Sequence, residues 1–182
     1  MSYTIPNILT LLRIALIPLL VVVYFSGMPN AMPIAAMIFT LAGLTDLLDG
    51  YLARKLNQLS AFGAFLDPVA DKLIVVCALV IVVYKHPSMY VLIPALIIIG
   101  REITVSALRE WMAELGNRGK VAVSYLGKVK TTVQIIAIVF LLWHVPIFGL
   151  PTFTIGLWLL VIAAVLTLVS MIGYLRAAFS SD

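Results

Sequence analysis

The sequence predicts an all-α, polytopic membrane protein with six transmembrane helices and both termini on the cytoplasmic side. Three observations carry that prediction. Of 182 residues, 63% are apolar, against roughly 45–50% in an ordinary soluble domain. The 12 basic and 8 acidic residues make only 20 charges, where a soluble chain places about a quarter of its residues in that class. Most of those few charges fall at or near the ends of six apolar stretches. With a mean hydropathy of +1.15, too few polar side chains remain to cover a water-facing surface. A soluble enzyme, a nucleic-acid-binding module and a disordered regulator are excluded.

A spanning helix needs about 20 mostly apolar residues. The first such stretch runs over about 8–26 and stops at Ser26-Gly27-Met28-Pro29-Asn30. It lacks a basic start, Arg13 interrupts it and no small-x-small site follows; a retained span is expected, not a cleaved signal peptide. The second covers about 31–54, and the third about 67–84, closed by Lys85-His86-Pro87. The fourth lies at about 89–112 and the fifth at about 122–143. The sixth, about 151–177, follows Pro146, Gly149 and Pro151; Gly and Pro punctuate most of the breaks. No repeat, low-complexity tract or soluble linker is visible, so residues 1–182 are expected to form one domain.

Orientation follows from the basic residues. With a cytoplasmic amino terminus, Arg13, Arg54, Lys55, Lys72, Arg101, Arg109, Arg118, Lys120, Lys128, Lys130 and Arg176 all fall at or near cytoplasmic ends. That is 11 of 12, with Lys85 alone outside, a strong positive-inside bias. It also explains the net charge of +4 without a nucleic-acid partner. His86 and His144 fall on the outer side, with no acidic or Cys neighbours, and read as interfacial residues. The single cysteine, Cys77, lies in an apolar run and supports neither a disulfide framework nor a CxxC metal site.

The acids are unevenly spread: Asp46, Asp49, Asp67 and Asp71, four of the eight, fall within 26 residues. An aspartate deep in a spanning helix costs roughly 2.5–3.5 kcal/mol on insertion scales, less towards the interface. Drawing four like charges together costs more, unless protons or cations neutralise them. At about 100° per residue, Asp46, Asp49, Gly50, Ala53 and Arg54 occupy an arc of roughly 140° at the cytoplasmic end of span two. Asp67 and Asp71, four apart, share a face at the start of span three. The loop from Lys55 to Phe62 lets these faces oppose each other. All-oxygen ligation suits Mg²⁺ or Mn²⁺ and not zinc. Gly50 and Ala53, with Gly63 one turn before Asp67, leave room for close approach, and Arg54 offers a planar fork suited to phosphate. Together they describe a site for a nucleotide diphosphate. For Asp67 alone, followed by Pro68, a helix cap with proline at the first helical position is an equal reading.

The spacing Asp46-x2-Asp49-Gly50-x2-Ala53-Arg54-x8-Gly63-x3-Asp67-x3-Asp71 matches, at all eight fixed positions, the signature of the CDP-alcohol phosphatidyltransferases, and the chain resembles that family. Ile5 to Arg13, Gly100-Arg101-Glu102 through Leu108-Arg109-Glu110-Trp111, and Gly127 to Thr132 resemble its bacterial branch that accepts sn-glycerol 3-phosphate. The resemblance implies transfer of the phosphatidyl group from CDP-diacylglycerol to sn-glycerol 3-phosphate, giving phosphatidylglycerophosphate and CMP. It implies metal on Asp46, Asp49, Asp67 and Asp71, with Asp71 as general base. Gly50, Ala53 and Arg54 are then expected to contact the nucleotide, with Gly63, Ser60, Asn7 and Thr10 as further candidates. Asn7 and Thr10 can also be read as helix-capping residues. It further implies a homodimer among membrane lipids, in the bacterial inner membrane, with a cytoplasm-facing site.

Glycerol 3-phosphate brings about two negative charges, and Arg109, Arg118, Lys128 and Lys130 are the candidates to receive them. The competing role for this group is contact with anionic lipid. Arg101 and Glu102, adjacent within span four, are expected to pair structurally with other helices or with each other's neighbours. Two alternatives stand beside this reading. A sibling enzyme would use serine, inositol phosphate or phosphatidylglycerol as acceptor. A divalent-cation transporter would also gather carboxylates, but usually near the midplane and within repeated halves.

Overall fold

The computed structural model describes residues 4–55, 61–116 and 125–179. They form six α-helices: α1 (Ile5–Phe25), α2 (Ala31–Lys55), α3 (Ala61–Lys85), α4 (Met89–Glu114), α5 (Tyr125–Trp143) and α6 (Thr152–Phe179). The expected all-α class holds, and five of the six helices begin and end within about three residues of the apolar stretches.

The exception is α3. It begins at Ala61, not near Asp67, so Asp67 lies inside the helix and is not its cap. Pro68 then sits within the helix, where its ring withdraws one backbone donor; the residues before it, Ala61 to Leu66, are helix-compatible and carry the helix past the proline. Pro18 and Pro94 are likewise internal to α1 and α4, as spanning helices tolerate. Asn7 and Thr10 are not caps either: the residue preceding α1 is Thr4, in extended conformation and without a side-chain cap bond. The turn after α1 uses Gly27 at φ +72°, a left-handed conformation that favours glycine.

The chain packs as two units, residues 1–82 with 138–153 and residues 83–137 with 154–182. In the first, Leu16, Leu20 and Tyr24 of α1 and Phe39 of α2 are buried together with Ala31, Ala35, Ala36 and Ala42; such small residues let helices approach closely. In the second, Val105, Leu108 and Met112 of α4 pack with Tyr174 of α6.

Large apolar side chains also point outward on every helix, for example Val22, Met37, Val80, Leu96, Ile136 and Trp158. Water would not tolerate that surface; lipid does. Among the described residues, three helices, over Asn7–Phe25, Met89–Glu114 and Thr152–Arg176, are long and apolar enough to cross a membrane. The apolar parts of α2 and α5, Ala31–Asp46 and Val129–Trp143, are shorter. In α2 the shortening has a plain cause: Asp46, Asp49, Arg54 and Lys55 occupy its last turns.

Candidate active site

In the first unit, the polar face of α1 meets acids from α2 and α3. Asn7, Thr10 and Arg13 recur every three residues and so share one side of α1, and all three are buried. The Thr10 hydroxyl donates to Oδ1 of Asp67. The Arg13 guanidinium donates from Nη1 to Oδ1 of Asp71, and the same nitrogen lies 3.2 Å from Oδ1 of Asp46. Arg13 is fully enclosed, whereas the Asp46 and Asp71 side chains are 41% and 42% exposed. A buried guanidinium without counter-charge would be expensive; two carboxylates supply it. Their open sides leave oxygen atoms accessible to a ligand.

Three of the four signature acids, Asp46, Asp67 and Asp71, thus each meet a polar side chain of α1. Gly63, one turn before Asp67, is buried. Asp49, Gly50, Ala53 and Arg54 belong to α2, but their side chains lie outside the described residues, as does Ser60 entirely. Among the described residues, no group of three His, Cys, Asp or Glu stands close enough to hold a metal ion. The chemistry of the donors nevertheless fits a hard cation. Asp46 and Asp71 present half-open carboxylates, and one positive group, Arg13, already bridges them. The contact between Arg13 and the acids was not legible in the sequence, although Arg13 lies in the family-like stretch one helical turn after Thr10.

The second unit holds the basic residues. Arg101 is buried; its Nη1 lies 3.3 Å from Oε1 of Glu102 and its Nη2 3.5 Å from Oγ of Ser170. Lys130, only 1% exposed, donates to the same Glu102 oxygen. Arg101 and Glu102 thus meet partners on other helices as expected, Ser170 of α6 and Lys130 of α5, and they also meet each other. Arg109 donates from Nη2 to the Tyr174 hydroxyl at 3.1 Å. Both Arg101 and Arg109 stand over the Tyr174 ring, 5.3 and 5.2 Å from its centroid, within cation–π range. The cations Arg101, Arg109 and Lys130 outnumber the one carboxylate among them by two charges. A phosphate monoester carries about −1.5 to −2. Arg118 lies outside the described residues, and the Lys128 side chain does too.

The chain is similar in sequence to known proteins. A sequence profile described as CDP-alcohol phosphatidyltransferase matches residues 3–169. A protein of Salmonella choleraesuis (strain SC-B67) named CDP-diacylglycerol–glycerol-3-phosphate 3-phosphatidyltransferase is 52% identical over 98% of this chain and 96% of its own length. Proteins of the same name from Shigella flexneri serotype 5b (strain 8401) and Escherichia coli (strain K12) are each 51% identical over the same shares. With the signature intact on α2 and α3 and the match running nearly end to end, this chain belongs to the CDP-alcohol phosphatidyltransferase family.

Proposed function

We propose that this chain transfers the phosphatidyl group of CDP-diacylglycerol to sn-glycerol 3-phosphate, releasing CMP and forming phosphatidylglycerophosphate for phospholipid biosynthesis. The observation that carries the reading is the 52% identity to relatives of that name over 98% of the chain, which includes the acceptor half as well as the signature. One phosphorus–oxygen bond forms to the acceptor hydroxyl and the one to CMP breaks. In such a substitution, positioning and charge stabilisation dominate.

Asp71 takes the proton from the acceptor hydroxyl, which it can do because Arg13 fixes one of its oxygens and the side chain remains partly open. Thr10 orients Asp67 from α1. Asp46, Asp49, Asp67 and Asp71 are the residues that would hold Mg²⁺ or Mn²⁺, which when bound neutralises the diphosphate and stabilises charge on the departing CMP. Gly50, Ala53 and Arg54 bind the nucleotide, with Gly63, Ser60, Asn7 and Thr10 lining its approach. Arg109, Arg118, Lys128 and Lys130 receive the acceptor's phosphate; the surplus of two positive charges around Glu102 supports that assignment.

Purified protein given CDP-diacylglycerol and a panel of acceptors is expected to release CMP with glycerol 3-phosphate and not with serine, inositol phosphate or phosphatidylglycerol. A chelator is expected to stop the reaction and Mg²⁺ or Mn²⁺ to restore it. Turnover with a different acceptor would replace the acceptor assignment, and no CMP release with any acceptor would discard the enzymatic reading in favour of cation transport.

The positive-inside count and the bacterial relatives support six spans in the inner membrane, with the site and both termini facing the cytoplasm. A reporter fused after Asp182 is expected to read as cytoplasmic; a periplasmic signal would refute the even number of spans. Family habit supports a homodimer, for which cross-linking in membranes is the check.

A further inference from the structure

The connection between α5 and α6, residues 144–151, holds no part of the signature and none of the basic residues. It closes as a tight turn. Ile147 and Leu150 pair as a β-bridge, with the Leu150 amide donating to the Ile147 carbonyl at 2.9 Å. Between them, Phe148 and Gly149 have φ of +50° and +77°. Positive φ at both central positions is the mark of a type I′ turn, which favours Asn-Gly or Gly-Gly. Glycine suits the second position, but a phenylalanine at the first is strained, because its Cβ crowds the backbone there. The phenyl ring stands at the tip, 99% exposed, and Val145 and Leu150 on either side of it are 47% and 56% exposed.

Water would favour asparagine at such a tip, and the rest of the loop is not built for water either. Between Lys130 and Arg176 the chain carries no Asp, Glu, Lys or Arg. Much of the loop's backbone is also satisfied internally. The His144 amide donates to the Phe140 carbonyl and the Val145 amide to that of Trp143. The Thr152 hydroxyl donates to the Val145 carbonyl at 3.1 Å, and Pro146 and Pro151 bring no N–H at all. Backbone closed on itself in this way is what a setting poor in water demands. The His144 ring meets Phe153 edge-on, with centroids 5.3 Å apart, and ties the two ends of the loop together.

Helix length indicates what covers the tip. The apolar part of α5, Val129–Trp143, rises about 22 Å at 1.5 Å per residue, against a hydrocarbon core of about 30 Å. A helix that short ends below the outer boundary, and the loop continues its apolar length towards it. Trp143, where the helix stops, is of the residue type that collects at membrane–water boundaries. We propose that residues 144–151 form a membrane-anchoring loop, with Phe148 inserted among the lipids of the outer leaflet and Val145 and Leu150 around it. Burial of the ring in lipid offsets the strain of its backbone. The inference rests on the six-span reading given above and adds to it a lipid contact outside the helices, which holds the outer end of α5 at a fixed depth.

Cys77 is the chain's single cysteine, so Cys77→Ala with Phe148→Cys gives one site for a nitrobenzoxadiazole fluorophore. The full chain, labelled there, is reconstituted into vesicles of phosphatidylethanolamine and phosphatidylglycerol. A nitroxide carried near the ester end of the acyl chains is expected to quench the label several-fold more strongly than iodide supplied on both sides of the membrane. The depth expected from paired nitroxide positions is about 5–10 Å into the boundary between headgroups and acyl chains. Phe148 is almost fully exposed within the chain, so its replacement removes little packing and the unfolding midpoint should match wild type. Should that midpoint fall, Leu150→Cys in the same background carries the test. Stronger quenching by iodide than by the nitroxide would overturn the anchor and make the tip a water-facing surface for a protein partner. A periplasmic signal from the reporter after Asp182 would instead overturn the span count, and with it the choice of leaflet, whatever the order of the quenchers.

Discussion

Asp71→Asn is expected to cut CMP release by about a thousandfold, within the 10²–10⁴-fold range that one general base supplies, while the protein still inserts into the membrane. Asparagine keeps the shape of the side chain and can still accept from Arg13, but it can neither take a proton nor bring a negative charge. Membrane insertion is set by the apolar helices, so the amount of protein recovered in the membrane fraction should match wild type. Near-normal turnover in the variant would sink the assignment of Asp71 as base or ligand. Loss of the protein from membranes would instead mark a folding role.

Arg13→Met is expected to damage both stability and activity. The methionine replaces the apolar stem of the side chain but leaves Asp46 and Asp71 facing each other without the guanidinium that now bridges them. Removing one partner of a buried ion pair costs about 3–5 kcal/mol; because both carboxylates are roughly two-fifths open to solvent, the lower end, about 3 kcal/mol, is the expected loss. Denaturation of the detergent-purified protein measures it. Adding Mn²⁺ should recover part of that loss, since a divalent ion satisfies the same oxygens. Turnover should also fall on the order of a hundredfold, because a misplacement of about 1 Å at a reacting centre has that effect. An unfolding midpoint equal to wild type would show that Arg13 does not hold the acids together.

Much of this site is local in the chain, which is why it could be read there. Asp46, Asp49, Gly50, Ala53 and Arg54 share a helix face by periodicity alone, and Asp67 and Asp71 do so again four residues apart. The helices themselves were legible because lipid demands long apolar runs, and α1, α4 and α6 have them. The start of α3 was not, since a proline beside an aspartate imitates a helix beginning and the helix in fact runs through it.

Partnership between helices is a different matter. In the sequence Arg13 was a cytoplasmic positive charge in a family-like stretch with no partner assigned, yet it meets Asp71 from 58 residues away. Lys130 finds Glu102 across 28 residues, and Arg109 finds Tyr174 across 65. The chain's composition and spacing sufficed for the membrane class, the helices and the acid signature, because burial in lipid and the 3.6-residue turn act on neighbouring residues. Which faces meet depended on packing: a poorly solvated charge settles against whichever opposite charge or aromatic ring the helices bring to it, and no local periodicity records that choice.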